Sequence, residues 1–339
     1  MKILVVGGSR FSGKIVVENL NEKGHDVTVL NRGKSELSLP EFYKNEKYSY
    51  PKKVQILHAD RKNKDEIRNH LSGKDFEAVI DTCAYTAADV QIIVDNSPKN
   101  IAHYILTSTA SVYDEEKNYF IPISEDAFIG SEAEECPIQY SKDKRRIESL
   151  LKKLYTEDGY PITMIRPTYI YGPFNPMYRE FYFYDRIMNK KPIYMPGHGD
   201  YLVDYVFAKD VAWLLTAPLE NKKAIGQAYN ATTGEACTLN VFVKLLSEII
   251  GNEVEIVHYD QKLLEDENLK PENNYQMFPY GWYEHLILSK EKAVVDLGYK
   301  PTSLMEGERL TFEWYKKMKN PDWNGDYSFD QKIAKIMKN

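Results

Sequence analysis

A tyrosine and a lysine stand four residues apart in the segment Tyr140-Ser-Lys-Asp-Lys144, which opens a predicted helix. Residues at this spacing share one face of a helix, so we expect Lys144 to lie beside Tyr140. A nearby ammonium group lowers the pKa of a phenol from its ordinary value of about 10, and such a tyrosine can act as general acid or base. The chain contains 26 tyrosines, so this spacing carries weight only together with other motifs.

A hydroxyl residue that could assist this chemistry follows a predicted strand. The strand around Tyr104 to Leu106 runs into Thr107-Ser-Thr109. Open α/β sheets bind their ligands at the carboxyl ends of parallel strands. We therefore expect Thr109 to hydrogen-bond the substrate oxygen with which Tyr140 exchanges a proton.

A glycine-rich turn follows the first predicted strand and precedes a helix-like run from Lys14 to Lys23. A turn without side chains at a helix N-terminus lets the pyrophosphate of a dinucleotide approach backbone N–H groups. Strand, turn, helix and strand within about 30 residues favour a dinucleotide site over a merely tight turn. The candidate cofactor ligands of this turn are Gly7, Gly8, Ser9, Arg10, Phe11, Ser12 and Gly13. The nicotinamide of such a cofactor would give or take hydride beside Tyr140.

The end of the second predicted strand bears on the choice of cofactor. Asn31 and Arg32 stand where an acidic residue would bind the adenosine ribose of NAD. Arg10 and Arg32 could converge on a 2′-phosphate, which favours NADP. The alternatives are that both arginines are solvated and that Asn31 binds a plain ribose hydroxyl of NAD. Asp60 is a candidate for the adenine edge, although a helix N-cap explains Asp60-Arg61-Lys62 about as well.

Alternating apolar and helix-periodic segments predict the elements that position these residues. Short apolar runs bounded by Gly, Asp or Asn indicate parallel strands buried on both faces. The fold class is therefore α/β, a Rossmann-type doubly wound sheet over residues 1–172, which also receives elements from about 204–217. Residues 173–339 are predicted to form a smaller α+β substrate domain. The predicted strands are Ile3 to Val6, Val27 to Leu30, Val54 to Leu57, Ala78 to Ile80, Tyr104 to Leu106 and Ile162 to Ile165.

Composition limits the partners and the location of the chain. A net charge of −6, without a long basic block, predicts no nucleic-acid partner. The opening MKILVVGG is too short for a signal peptide or a membrane span, so we expect a cytoplasmic protein without a membrane partner. Cys83, Cys136 and Cys237 fit reduced thiols. The histidines include no pair at metal-ligand spacing, so no metal site is predicted.

Together with the segment Ile165-Arg-Pro-Thr-Tyr-Ile-Tyr-Gly-Pro173, these motifs occur in an order that resembles the extended short-chain dehydrogenase/reductases, in the NAD-dependent epimerase/dehydratase group. The resemblance runs from Met1 to about Trp314. It implies a redox enzyme with Thr109 as the hydroxyl member, Tyr140 as acid/base, and Lys144 as modulator and nicotinamide-ribose ligand. The Arg10-Phe11 turn resembles a reductase-like branch, which again favours NADP. Further cofactor contacts are expected from Asp60, Arg61, Thr82, Cys83, Ala84, Thr107, Pro167 and Thr168.

Two departures from the family pattern bear on the substrate. Val203 stands where the family usually carries an arginine for the substrate diphosphate, which puts a nucleotide sugar in doubt unless Arg179, Arg186 or Lys209 compensates. Ala110-Ser111 replaces the acidic pair of the dehydratases, which disfavours 4,6-dehydration. Epimerisation and net reduction or oxidation of a sugar-like or other small substrate both stay open.

Three alternatives concern other surfaces and functions. Family analogues commonly dimerise through the helix near Tyr140, so a homodimer is expected by analogy. The aromatic run Phe174 to Tyr184 could form a substrate wall, a core or a dimer interface. The alternative to an enzyme is a catalytically weak RNA-binding or regulatory protein, since a resembling branch includes chloroplast RNA-binding proteins.

Overall fold

The computed structural model describes residues 1–33, 40–44, 49–114, 120–132, 138–280 and 285–338. Its strands are β1 (Lys2–Val6), β2 (Asp26–Asn31), β3 (Gln55–His58), β4 (Ala78–Asp81), β5 (His103–Thr107), β6 (Ile162–Pro167), β7 (Tyr169–Tyr171), β8 (Ile193–Pro196), β9 (Leu202–Val203), β10 (Tyr205–Phe207), β11 (Gln227–Ala231), β12 (Cys237–Thr238) and β13 (Ile256–Tyr259). Its helices are α1 (Phe11–Glu22), α2 (Lys64–Leu71), α3 (Ala87–Asn96), α4 (Gln139–Asp158), α5 (Glu180–Met188), α6 (Ala208–Thr216), α7 (Leu239–Ile250), α8 (Lys262–Asp266), α9 (Glu291–Leu297), α10 (Leu304–Met318) and α11 (Ser328–Ile336).

The main sheet has seven strands in the described residues, in the order β11-β6-β5-β4-β1-β2-β3. All of its neighbouring strands pair in parallel. The chain builds outward from β1 in one direction through β2 and β3, and then in the other direction through β4, β5 and β6. This reversal creates a switch point beside β1, where open sheets of this kind bind ligands. The predicted α/β, Rossmann-type class is confirmed.

Burial on both faces explains why the strands are continuous apolar runs. In β1, Ile3 and Val5 belong to the hydrophobic core on one face, and Leu4 and Val6 belong to the core on the other. The alternation follows from the two-residue period of a strand. The edge strand β3 is more exposed, because only β2 flanks it.

Residues beyond the predicted boundary at 172 also contribute to the Rossmann-type half. The strand β11 extends the sheet by pairing with β6, and Val211 and Leu215 of α6 share a core with Val16 and Val17 of α1. Elements from about 204–217 were expected in this half, but β11 was not predicted. The segment Gln-Ala-Tyr-Asn-Ala of β11 has too weak a strand pattern, and its strand conformation depends on pairing with the edge of β6.

The aromatic run Phe174 to Tyr184 lies mainly in a separate core. Tyr178 and the four residues Phe181 to Tyr184 are at most 5% exposed, and they pack with residues of α7 and α10. Phe42 and Tyr43, from the polar segment between β2 and β3, are buried in the same core. Of the three interpretations that the sequence left open for this run, the structure supports a hydrophobic core.

The structure also bears on the expectations for cysteines, membrane-spanning helices and metal ligands. Cys83 and Cys237 are free thiols, and Cys136 lies outside the described residues. No helix in the described ranges is long and apolar enough to cross a membrane. The described residues contain no group of three or more His, Cys, Asp or Glu side chains that could hold a metal ion.

Candidate functional site

A cavity of about 1150 Å³ opens at the carboxyl ends of the sheet strands. One part is lined by the glycine-rich turn, and another by Thr109, Tyr140 and Lys144. The two motifs are far apart in sequence, and the parallel sheet brings them to one edge. The predicted cofactor residues that line this cavity are Gly7, Ser9, Arg10, Phe11, Ser12, Gly13, Asn31, Arg32, Asp60, Arg61, Thr82, Cys83, Ala84, Thr107, Pro167 and Thr168.

The turn leaves room for a ligand only because its glycines lack side chains. Gly7 has φ +90°, and a Cβ on it would lie 2.6 Å from Sγ of Cys83. A Cβ on Gly13 would lie 2.5 Å from the Gly7 carbonyl oxygen. The Arg10 side chain does not cap the start of α1. The N-terminal N–H groups of this helix therefore face the cavity without a side-chain cap, as a phosphate site requires.

Gly8 was predicted as a cofactor ligand, and the structure corrects this assignment. Gly8 does not line the cavity. A Cβ on Gly8 would lie 2.6 Å from Cγ2 of Val17 and 3.2 Å from Cγ2 of Val29. Its role is therefore to let α1 pack closely on the sheet.

The Asn31 side chain is engaged with protein groups rather than directed at a ribose. Its Oδ1 accepts a hydrogen bond from the Gly33 N–H at 2.8 Å and lies 3.1 Å from Nδ1 of His58. Its Nδ2 donates to the Tyr50 hydroxyl at 3.3 Å, which in turn donates to Oγ of Ser9 at 2.9 Å. The expected bond from Asn31 to a ribose hydroxyl would have to replace one of these contacts. No pattern in the sequence predicted that Tyr50 joins the two cofactor segments.

Arg32 and Arg10, the predicted 2′-phosphate ligands, both line the cavity. Arg32 is exposed, and its charge lowers the pKa of the Tyr85 phenol, although burial raises that pKa overall. Tyr85 also lines the cavity and was not predicted. Its position directly after Thr82-Cys-Ala84 is the signal that could have identified it.

Arg61 was predicted to contact the cofactor, but its guanidinium is bound to Asp81. Both terminal nitrogens lie 2.7 Å from the Asp81 carboxylate oxygens, and the Tyr104 hydroxyl donates to the same carboxylate at 2.8 Å. Burial alone would raise the pKa of Asp81, but Arg61 and Tyr104 hold it below its ordinary value. Arg61 therefore supports the cavity wall as half of a buried ion pair.

The neighbouring Asp60 remains a candidate for the adenine edge. Its Oδ1 accepts a hydrogen bond from the Lys62 N–H at 3.0 Å, and the residue lines the cavity. The N-cap of α2 is Asn63, whose side chain accepts from the N–H groups of Asp65 and Glu66. The N-cap alternative for Asp60 is therefore wrong.

The hydroxyl, phenol and amine of the predicted catalytic set come together at the other end of the cavity. Thr109 and Tyr140 both line this end of the cavity, and the Thr109 side chain lies close enough to lower the pKa of the Tyr140 phenol. Nζ of Lys144 donates to the Thr107 carbonyl at 2.9 Å and lies 5.8 Å from the centre of the Tyr140 ring. Tyr140 stands in the first turn of α4, with Lys144 one turn later on the same face.

The predicted effect of Lys144 on the phenol is corrected by the structure. Burial raises the pKa of Tyr140, and the Thr109 side chain is the first influence that lowers it. The Lys144 ammonium donates to the Thr107 carbonyl at 2.9 Å, and the charge that lowers the phenol pKa is that of Arg179 rather than that of Lys144. The phenol is thus protonated at neutral pH, as a general acid must be.

Lys144 itself is strongly perturbed. It is 4% exposed, and burial lowers the pKa of its ammonium to about 8, although the Asp81 charge acts in the opposite direction. Perturbed groups of this kind cluster at functional sites because function requires burial that stability alone would avoid.

The residues present fit a bound dinucleotide. Oγ1 of Thr107 is buried and has no hydrogen-bond partner in the described structure, yet Thr107 lines the cavity. Buried polar atoms are rarely left without partners, so this hydroxyl indicates a ligand. The cradle formed by Gly7 and Gly13 indicates the same at the phosphate end.

A buried network fixes the strand ends beneath these groups. Arg166 bonds the Glu148 carboxylate at 3.0 and 2.7 Å, and Oγ of Ser108 donates to Glu148 at 2.6 Å. Arg166 is therefore directed into the protein, whereas Pro167 and Thr168 line the cavity. This network connects α4, which carries Tyr140, to β6 and to the segment after β5.

The remaining lining extends beyond the cofactor residues and includes the position of the missing family arginine. Val203 lies in this wall and is 4% exposed. Of the three cations that could compensate for it, Arg186 is bound to Asp330 at 2.8 Å, and Lys209 is exposed and outside the lining. Arg179 lines the cavity. The other residues of this part include Tyr85, Ile138, Tyr169, Met177, Leu202 and Leu286.

Comparisons with known proteins agree with this geometry. The model of the NAD dependent epimerase/dehydratase family matches residues 3–97 and 91–232. A chloroplast stem-loop binding protein of 41 kDa from Arabidopsis thaliana is 33% identical over 310 residues, which cover 90% of this chain and 77% of that protein. A trifunctional UDP-glucose 4,6-dehydratase, epimerase and reductase from the same plant is 30% identical over 67% of this chain, which spans 31% of that protein. The solved UDP-glucose 4-epimerase of Thermotoga maritima, with UDP-glucose, has a TM-score of 0.74 and 25% identity, covering 94% of this chain and 99% of that one.

Proposed function

The chain belongs to the NAD-dependent epimerase/dehydratase family, and from this premise we propose that it transfers hydride between a nicotinamide dinucleotide and a carbinol or keto carbon of a sugar-like substrate. One observation carries the proposal. A single cavity is lined both by a phosphate-binding turn and by the Thr109, Tyr140 and Lys144 set. The turn would hold the dinucleotide and the set would act on the substrate oxygen.

Each catalytic residue has a role that its surroundings support. Tyr140 exchanges a proton with the substrate oxygen, and Thr109, whose side chain lowers the pKa of that phenol, orients the same oxygen. Lys144 and the unpartnered hydroxyl of Thr107 would hold the nicotinamide ribose. The bound dinucleotide supplies the hydride donor or acceptor.

Epimerisation is the reaction that we propose, with net reduction or oxidation second. The similarity to a UDP-glucose 4-epimerase over nearly its whole length supports it. Ala110-Ser111, both lining the cavity, supply no carboxylate to protonate a leaving hydroxyl, which argues against dehydration. The test is to incubate the purified protein with UDP-glucose and analyse products and cofactor. Formation of an epimer without net change in the nicotinamide would support epimerisation, whereas stoichiometric reduction of added NADP⁺ would indicate net oxidation of the sugar.

We propose NADP as the preferred dinucleotide, and Arg32→Asp tests this choice. A 2′-phosphate bound by Arg32 would lose a charged hydrogen bond, typically worth about 1.5–3 kcal/mol, and would meet a new negative charge. The NADPH dissociation constant should rise by at least about tenfold, while that for NADH stays within about threefold. Fluorescence titration of both nucleotides measures this. Arg68→Asp is the matched control, because Arg68 lies on α2 with 67% of its side chain exposed. Equal losses for both nucleotides would contradict the assignment.

RNA binding is the second candidate function, favoured by the 33% identity to a stem-loop binding protein. The net charge of −6 weighs against it, because phosphate backbones are bound by clustered Lys and Arg. We expect no salt-sensitive binding of a stem-loop RNA at physiological ionic strength. A filter-binding titration at two salt concentrations measures this, and an affinity that falls steeply with salt would revive the RNA-binding hypothesis.

A further inference from the structure

We infer that Arg179 forms a binding site for an oxyanion of the substrate, a phosphate or carboxylate group, in the same cavity as Tyr140. This inference rests on the proposed function, since it places the substrate in that cavity. It goes beyond that function by assigning the substrate a negative charge and by naming the residue that binds it.

Arg179 is held at the cavity wall by aromatic side chains. It directly precedes α5, and its guanidinium carbon lies 5.1 Å from the centre of the Tyr169 ring. Tyr169 packs edge to face against Tyr280 with 5.2 Å between ring centres. The N–H groups of a guanidinium over a ring lie in the plane of the guanidinium itself, where they remain able to bind an oxyanion. The charge of Arg179 also reaches Tyr140, whose pKa it lowers.

Three buried arginines have carboxylate partners, and Arg179 has none among the described residues. Its Nε is buried without a hydrogen-bond partner, and in the described parts of the chain no carboxylate lies within ion-pair distance of it. A partly buried charge without a partner is costly, and a bound anion would remove that cost. The paired examples are Arg61 with Asp81, Arg166 with Glu148 and Arg186 with Asp330.

The nearest carboxyl group in sequence is turned away from the guanidinium. Glu180 accepts hydrogen bonds from the Gly172 N–H at 3.1 Å and from Nδ2 of Asn175 at 3.0 Å. Burial raises the pKa of Glu180 to about 7, and Arg179 only partly offsets this effect. Glu180 is thus a weak counter-charge at neutral pH, and it does not occupy the N–H groups of Arg179.

The cavity wall on β9 supplies no charged side chain, because Leu202 and Val203 contribute an apolar surface there. The positive charge for an anionic substrate comes instead from the residue before α5. Guanidinium groups bind phosphate and carboxylate oxygens through paired N–H donors. Three classes of substrate carry such an oxyanion: nucleotide sugars through their diphosphate, sugar phosphates, and sugar acids through their carboxylate.

Equilibrium binding to Arg179→Gln tests the inference. The probes are UDP, glucose 1-phosphate and glucuronate, titrated by calorimetry into protein saturated with the dinucleotide. At least one probe should bind the variant ten or more times more weakly than the wild type, and which probe responds identifies the source of the oxyanion. Lys209→Gln, which removes an exposed cation outside the cavity lining, should bind all probes as the wild type does.

The binding result that would overturn the inference differs from a failure of the proposed function. The oxyanion site is wrong if the dinucleotide binds normally but every probe binds Arg179→Gln as it binds the wild type. The same conclusion holds if no probe binds either protein. If no dinucleotide binds, the proposed function has failed instead.

Thermal unfolding supplies a second readout that does not depend on the ligand. Arg179→Gln should leave the melting temperature unchanged or raise it, since no ion pair is lost. Arg166→Gln should lower it by several degrees, because Glu148 would stay buried without its partner. A loss for Arg179→Gln as large as that for Arg166→Gln would show a structural role and would overturn the inference.

Discussion

Replacing Tyr140 by phenylalanine should lower the rate of product formation by roughly 10³-fold and leave dinucleotide affinity within about twofold of the wild type. The substitution removes only the phenol hydroxyl. General acid–base catalysis typically contributes about 10²–10⁴-fold, and the Tyr140 phenol shares the cavity with Thr109, whose side chain lowers its pKa. The ring, which is 43% exposed at the cavity, is kept.

The measurement is product formation from UDP-glucose, with NADPH and NADH titrations on the same samples. Tyr155→Phe is the matched control, because Tyr155 lies on the same helix α4 but outside the cavity lining. It should retain wild-type turnover. Wild-type turnover by Tyr140→Phe would remove Tyr140 from the catalytic set, whatever the fate of the cofactor assignment.

Replacing Lys144 by methionine should lower turnover by about 10²-fold or more and at the same time stabilise the folded protein. Burial lowers the pKa of this ammonium to about 8, which means that the fold disfavours its charged form. The shift from 10.5 to about 8 corresponds to roughly 3 kcal/mol, an upper bound because methionine cannot replace the bond to Thr107. A residue kept at such a cost is retained for function rather than for stability.

The effect on stability should depend on pH in a specific direction. At a pH below about 8, Lys144 is protonated in both the folded and unfolded states, and the folded state bears the full cost. Between that value and the ordinary value of 10.5, the folded protein loses the proton first, so the cost decreases as pH rises. The stability difference between Lys144→Met and the wild type should therefore be largest at neutral pH and shrink on the alkaline side.

Urea unfolding at several pH values measures this difference. Lys153→Met, an exposed position on α4 with 67% of its side chain accessible, is the control and should change stability little at any pH. A variant Lys144→Met that is less stable than the wild type at neutral pH would show that the bond to Thr107 outweighs desolvation, and the functional explanation for this residue would fail.

Sequence patterns that depend on local spacing were sufficient to predict much of the fold. The apolar runs of β1, β2, β4, β5 and β6 are visible because strands buried on both faces need no polar residues. The turn from Gly7 to Gly13 is visible because backbone approach excludes side chains. The strand β11 was missed because small and polar residues surround its one aromatic residue, Tyr229, and its pairing with β6 is a tertiary effect.

The site was predictable as a set of positions but not as a set of contacts. Arg61 was identified near the cavity, but its pairing with Asp81 joins residues 20 apart in the chain. Asn31 was considered as an alternative ligand of a ribose hydroxyl, but its amide contacts Tyr50 and His58. Side-chain partners of this kind depend on which groups meet after folding, and neither hydropathy nor spacing encodes them.

The same limit applied to the substrate side of the cavity. The sequence offered Arg179, Arg186 and Lys209 as equal substitutes for the cation missing at Val203. Folding distinguishes them, because Arg186 pairs with Asp330 and only Arg179 among the three lines the cavity. Burial and pairing, rather than residue type, decide which charge can act on a ligand.

The most direct test of the account is an equilibrium titration of the purified protein with NADPH and NADH, together with mass spectrometry of any nucleotide that copurifies. The account predicts saturable binding of a nicotinamide dinucleotide, tighter for NADPH, at a site that Gly13→Val abolishes because a side chain there would meet the Gly7 carbonyl. Binding of neither nucleotide, with none copurified, would contradict the central claim that this cavity performs hydride transfer.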